Sequence, residues 1–86
     1  MDVQVIRAEM TRSPETGYVG QVRFRLPGHA NDYEITLHSE DGKDWGYSLH
    51  FAEQSGEEKA ILAVEERLEE DDALFDALVA AAMNAL

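Results

Sequence analysis

The chain has 86 residues, a net charge of −11 and no cysteine, so it is expected to form one domain over residues 1–86 without disulfide bonds, thiolate metal sites or thiol catalysis. Its acidity and its lack of a basic stripe argue against direct binding to nucleic acid or to an anionic membrane surface. The longest apolar run, residues 78–83, is much shorter than the roughly 20 residues that span a bilayer.

The first predicted strand covers residues 2–10, and the pattern leaves its buried face open. Val3 and Val5 lie on one side of an extended strand, but apolar residues also occupy the other side. Those residues are Ile6, Ala8 and Met10. Because a shift of one residue exchanges the two faces, the register of this strand is ambiguous. Residues 11–17, which contain a proline and a glycine, are predicted to form a loop.

Three further strands alternate between apolar and polar residues and are predicted near 18–26, 32–39 and 44–51. The residues predicted to face inward are Tyr18, Val22, Phe24, Leu26, Tyr33, Ile35, Leu37, Trp45, Tyr47, Leu49 and Phe51. The aromatic members of this set could form a stacking platform for single-stranded nucleic acid. On a sheet face that helices must cover, they are better interpreted as core residues.

The length of the turn between the last two strands decides which residues of the last strand face inward, because side chains alternate between the two faces of a strand. A two-residue turn at 41–42 would place Trp45 on the outer face. A three-residue loop at 40–42 keeps Trp45 inward and gives Gly42 the left-handed conformation of a G1 bulge. This register pairs Leu37 with Trp45, Ile35 with Tyr47, and Tyr33 with Leu49. The same parity places Phe24 beside Ile35 and Arg25 opposite Glu34, which predicts an antiparallel meander with one apolar face.

Helix is predicted from about residue 56 to residue 86, because residues 57–86 contain neither glycine nor proline. Ser55 and Glu58 have the spacing of a capping box at its start. A single unbroken helix would be about 45 Å long, longer than a domain of about 30 Å, and would need a partner chain. A break near residues 70–72, with an aspartate capping a second helix, is favoured. The predicted fold class is α+β, a four-stranded antiparallel meander sheet with one face covered by one or two C-terminal helices (ββββαα).

The candidate residues for chemistry do not match a catalytic, metal or cofactor motif. His38 and His50 are predicted on the outer face of neighbouring strands, with Asp44 and Asp32 as neighbours, and such a group could bind zinc. The predicted pairing separates the two histidines along the sheet, so they are interpreted as exposed polar residues. The serines lack a nucleophile elbow, and the glycines form no phosphate loop. The chain is therefore predicted not to be an enzyme and to use no metal or cofactor.

Six acidic residues at the predicted helix break form what is called here the acidic cluster: Glu65, Glu66, Glu69, Glu70, Asp71 and Asp72. Two like-charged pairs lie four residues apart, and each pair costs roughly a few tenths of a kcal/mol. The glutamates also lie toward the C-terminal end of the first helix, where the helix dipole disfavours negative charge. Local helix energetics do not explain the cluster. The cluster is explained either by solubility or by docking to an electropositive protein partner.

The C-terminal stretch LVAAAMNAL, residues 78–86, is apolar on more than one side of a helix. It predicts a homodimer, although alanine is also the best helix former and this alternative stays open. The lack of cysteine and of a basic leader favours a cytoplasmic location. The predicted function is a small, non-enzymatic, self-associating protein-interaction module. The alternative is an acidic inhibitor or nucleic-acid mimic that docks the acidic cluster into a basic groove of a partner.

Overall fold

A computed structural model describes residues 3–86. The strands are β1 (Gln4–Ser13), β2 (Gly17–Arg25), β3 (Tyr33–Ser39) and β4 (Gly46–Phe51), followed by α1 (Glu58–Glu70) and α2 (Asp72–Met83). The strands form one antiparallel sheet in the order β1-β2-β3-β4. Helix α2 packs against β1 and β2, and α1 packs against β4. The predicted α+β class and ββββαα order are confirmed.

The loop predicted at residues 11–17 is shorter than expected, because β1 continues to Ser13 and β2 begins at Gly17. Ser13 pairs with Gly17, and a three-residue turn joins them. Gly17 has a φ of 72°, a conformation that L-residues rarely adopt. The Ser13 hydroxyl also accepts a hydrogen bond from the Glu15 backbone N–H at 3.2 Å. These local contacts close the turn early and leave residues 11–13 in the sheet.

The ambiguous face of β1 is resolved by an irregularity between Val5 and Arg7, where Ile6 is the extra residue. A bulge of this kind changes which residues face the core on its two sides. Val3, before the bulge, and Ala8 and Met10, after it, all pack against the core. Apolar residues at odd positions before the bulge and at even positions after it therefore both face the core. Val5 and Ile6 themselves remain 40% and 42% exposed.

The predicted β3–β4 register is wrong by two residues. The observed pairs are Tyr33 with Phe51, Ile35 with Leu49, Leu37 with Tyr47 and His38 with Gly46. Asp41 Oδ1 accepts hydrogen bonds from the backbone N–H groups of Lys43 at 2.8 Å and Asp44 at 3.0 Å. The Gly42 N–H donates to Ser39 Oγ at 2.8 Å. These side chains hold residues 40–45 in a longer loop, although Gly42 does take the predicted positive φ, at 79°.

The start of β4 is set by Gly46, which lies opposite His38. A Cβ atom on Gly46 would overlap the His38 ring, so a larger residue there would require the His38 side chain to move. Trp45 precedes the strand and packs near Tyr18, with ring centroids 5.9 Å apart, instead of opposing Leu37.

The predicted β2–β3 neighbours are also displaced by two residues. Val22 faces Ile35, Phe24 faces Tyr33, and Arg23 faces Glu34. Arg25 instead bonds to Asp32, with Nε–Oδ1 at 2.7 Å and a second hydrogen bond at 3.1 Å. A shift of two residues keeps every side chain on its predicted face, because strand side chains alternate with a period of two.

The predicted helix break is confirmed at Asp71. Its backbone N–H ends α1 by donating to the Arg67 carbonyl at 2.7 Å. Its side chain begins α2 by accepting from the Leu74 N–H at 3.2 Å. Asp71 is therefore the N-cap of α2, and the two helices fold back within a molecule of 38 × 25 × 19 Å.

The capping box predicted at Ser55 and Glu58 is wrong. Helix α1 begins at Glu58, and its N-cap, Glu57, makes no side-chain capping hydrogen bond. Gly56 packs so closely on Asn31 and Phe51 that a Cβ would overlap both side chains. This packing places Ser55 in the connection from β4, two residues before the N-cap position of α1.

The core lies between the sheet and the helices. Its buried apolar residues are Met10, Val22, Phe24, Leu26, Tyr33, Ile35, Leu37, Val64, Leu68, Leu74, Leu78 and Ala82. The predicted inward residues of β4, together with Tyr18 and Trp45, are partly buried against this core. Over residues 3–86, neither helix is long and apolar enough to cross a membrane.

Candidate functional site

The acidic cluster is divided between different environments. Glu69 Oε1 accepts a hydrogen bond from the Tyr47 hydroxyl at 2.9 Å, which ties α1 to β4. Asp71 caps α2 and also lies 3.6 Å from Arg67 Nε. Glu65 is half-buried, and its charge acts on Tyr47. The exposed members of the cluster are Glu66, Glu69, Glu70 and Asp72. The structure therefore uses part of the predicted acidic surface for internal contacts.

The Tyr47 hydroxyl has a strongly raised pKa. Burial, the hydrogen bond to Glu69, and the charges of Glu69 and Glu65 together raise the pKa of Tyr47 to about 12. A raised pKa means that the folded state holds the phenolic proton more tightly than the unfolded chain does. The stability from this contact is complete below the ordinary tyrosine pKa of 10.0 and is lost as the pH rises toward 12.

We expect the Glu69→Gln variant to lower the pKa of Tyr47 toward 10.0, because it removes the charge that disfavours tyrosinate. The measurement is the ultraviolet absorbance of tyrosinate against pH, compared with a Tyr47→Phe chain that isolates this residue. Glu66→Gln is the matched control and should leave the titration unchanged, because Glu66 is exposed and is not among the groups that shift Tyr47. An unchanged pKa in Glu69→Gln would mean that burial and the Glu65 charge, without Glu69, cause the shift.

The arginines on the sheet have acidic or aromatic neighbours. Arg7 lies 3.3 Å from Glu9, Arg23 lies 3.2 Å from Glu53, and Arg25 lies 2.7 Å from Asp32. The hydrogen bond from Arg25 lowers the pKa of Asp32 below its ordinary value. Arg12 lies over the Tyr18 ring at 5.3 Å from the centroid. The positive charge of the sheet is thus distributed over local pairs.

The histidines occupy separate positions. His38 and His50 are exposed on the sheet, opposite Gly46 and Glu34. His29 Nδ1 lies 2.7 Å from the hydroxyl of Tyr33, and burial raises the pKa of that tyrosine. Within residues 3–86, no group of three or more histidine, aspartate or glutamate side chains is placed to hold a metal ion.

An open cleft of about 460 Å³ separates the β3–β4 loop from α2. Trp45, Phe75 and Val79 supply its apolar wall. Its other lining residues are Lys43, Asp44, Asp76 and Ala80. Sequence reasoning missed this cleft because it treated Trp45 as a strand residue facing Leu37. The longer loop that displaces Trp45 creates the cleft.

The side of α2 away from this cleft carries small residues. Phe75, whose ring centroid lies 5.6 Å from that of Tyr47, faces the β4 side of the sheet. At about 100° per residue, Ala73, Ala77 and Ala81 lie on the other side of the helix and form what is called here the alanine ridge. Because α2 packs over β1, this ridge lies toward the β1 edge of the sheet. Ala73 is exposed, and Ala77 and Ala81 are half-buried.

Comparison of the chain with protein-family models, with curated proteins and with solved structures finds no match.

Proposed function

We propose that this chain is a small cytoplasmic interaction module that acts without catalysis and associates with a second copy of itself through α2. The observation that carries this proposal is the alanine ridge. Residues spaced four apart form a continuous ridge along a helix, and small side chains let a second helix backbone approach closely.

The packing of α2 explains why this ridge is distinct from the core stripe. Leu74, Leu78 and Ala82 are buried beneath the helix, and Phe75 and Val79 pack against the core on the cleft side. These residues already attach α2 to the sheet. The ridge adds apolar surface on the side that faces away from α1, where a helix of a second copy can lie.

The test is sedimentation of the wild-type chain and of Ala77→Glu at micromolar concentration and moderate salt. The wild-type chain should form a dimer. Ala77→Glu should be monomeric, because a two-fold contact brings two new carboxylates together on an apolar ridge. Ala63→Glu on the exposed face of α1 is the matched control and should remain dimeric.

Both variants should keep the wild-type circular dichroism spectrum, so that a loss of association is not a loss of folding. A wild-type chain that sediments as a single species of 9.6 kDa across a wide concentration range would contradict the proposal. The alanines of α2 would then serve only as good helix formers.

The second candidate function, docking of the acidic cluster into a basic groove, stays a prediction. It is less favoured because Glu69 and Asp71 already bond to Tyr47, Arg67 and the start of α2. The exposed face of α1 that carries Glu66 and Glu70 also carries Leu62 and Lys59 toward the start of the helix, so it is not acidic along its whole length.

A further inference from the structure

Strand β1 is one of the two terminal strands of the sheet. It has ten residues, whereas the other terminal strand, β4, has six. The outer side of a terminal strand presents backbone N–H and C=O groups that can pair with another strand. Short edge strands limit such pairing, and β1 is long enough to support it. The exposed residues Val5 and Ile6 lie on the same strand.

We infer that β1 pairs antiparallel with β1 of a second copy, about a two-fold axis at Ala8, so that the two sheets become one continuous sheet. This inference rests on the self-association proposed above and names a second element of the same contact. The occupant of the β1 edge is a second copy of this chain.

The charges of β1 favour this register over the two neighbouring ones, which are centred on Arg7 and on Glu9. Arg7 and Glu9 lie two residues apart on the same face, with side chains 75% and 53% exposed. A pairing centred on Ala8 places Arg7 of each copy opposite Glu9 of the partner subunit, and the symmetry makes this pair twice. Centring the pairing on Arg7 would oppose two arginines, and centring it on Glu9 would oppose two glutamates. Like charges directly opposite on a sheet are destabilising.

The same register agrees with the position of the helices. In an antiparallel pair, two residues that lie directly opposite each other point to the same face of the sheet. Both copies of α2 therefore lie on the same side of the joined sheet, with their alanine ridges toward the axis. One two-fold axis accounts for both contacts.

The test uses two charge reversals, Arg7→Glu and Glu9→Arg. Each variant alone opposes like charges twice across the axis, and we expect the dissociation constant of its dimer to rise roughly tenfold or more. An equimolar mixture of the two variants opposes glutamate to arginine at both positions. The mixture should form heterodimers with near wild-type affinity. Sedimentation of each chain and of the mixture measures this.

Arg12→Glu is the matched control, because it changes the net charge as Arg7→Glu does but lies on the opposite face of β1 from Arg7 and Glu9. Its dimer should be weakened much less, and mixing it with Glu9→Arg should restore affinity only in part, because one of the two arginine–arginine contacts remains in the heterodimer. Rescue by mixing also separates a lost contact from a misfolded chain, because a misfolded chain is not repaired by a second variant.

A second measurement uses the absence of cysteine in the chain. In Ala8→Cys the two thiols face each other across the axis, with Cα atoms about 4.5–5.5 Å apart, within the range that a disulfide bridges. Mild oxidation should link the two copies, whereas Leu62→Cys on α1 should not link. If the Ala8→Cys chain still sediments as a dimer but forms no disulfide on oxidation, the inference is overturned.

The outcomes separate this inference from the proposed function. If Ala77→Glu abolishes the dimer while Arg7→Glu and Glu9→Arg leave it intact, the β1 pairing is wrong and association through α2 stands. If the wild-type chain is monomeric, both are wrong. If single reversals weaken the dimer and mixing restores it, the register about Ala8 is supported.

Discussion

Replacing Leu78 with alanine is expected to lower the free energy of unfolding by about 2–5 kcal/mol. Leu78 lies at the centre of the buried stripe of α2 and is 0% exposed. The substitution removes buried apolar atoms and leaves a cavity that close-packed neighbours fill only in part. For a domain of this size the thermal midpoint should fall by roughly 8–40 °C. Thermal and urea unfolding, both at one fixed protein concentration, measure the change.

Leu62→Ala is the matched control, because it makes the same chemical change on a helix residue that is 52% exposed. Its effect should stay within about 0.5 kcal/mol. Equal losses of stability in the two variants would mean that the helices do not cover the sheet as described. A large loss at Leu78 alone would support the contact between α2 and the sheet.

Replacing Gly17 with alanine is expected to cost about 2–4 kcal/mol, from two separate causes. The φ of 72° is strained for any residue that carries a Cβ atom. In addition, the new Cβ would overlap the Ser39 carbonyl oxygen and lie 2.8 Å from the Cα atom of Glu40. Ser39 is held in place by its pairing with Tyr18, and Glu40 follows it directly, so the turn must move.

Gly28→Ala separates these two causes. Gly28 has a comparable φ of 81°, but a Cβ atom there would meet nothing within 4 Å. This control should therefore cost only the backbone strain, about 1 kcal/mol. The difference between the two unfolding free energies measures the close approach at Gly17. No difference would mean that the β1–β2 turn lies farther from Ser39 than the structure places it.

The acidic cluster shows how far sequence reasoning reaches at a candidate site. The sequence shows that helix energetics do not account for these charges, and it predicts that an aspartate caps the second helix. It cannot show that Glu69 bonds to Tyr47, because the two residues lie 22 positions apart and meet only when α1 packs beside β4. The cleft beside Trp45 was missed for the same reason, since its two walls come from distant parts of the chain.

The sequence by itself determined which side chains of β2, β3 and β4 face inward and that helices follow the strands, and it favoured a division of the helices near residues 70–72. These features depend on alternation, helical spacing and capping chemistry, which act between residues a few positions apart. Tertiary structure decided the strand registers, the bulge at Ile6 and the start of α1. A register shift of two residues preserves every face, so the hydrophobic pattern does not distinguish the alternatives. The choice was made by specific contacts: the Asp41 and Ser39 hydrogen bonds to the loop backbone, and the close packing at Gly46 and Gly56.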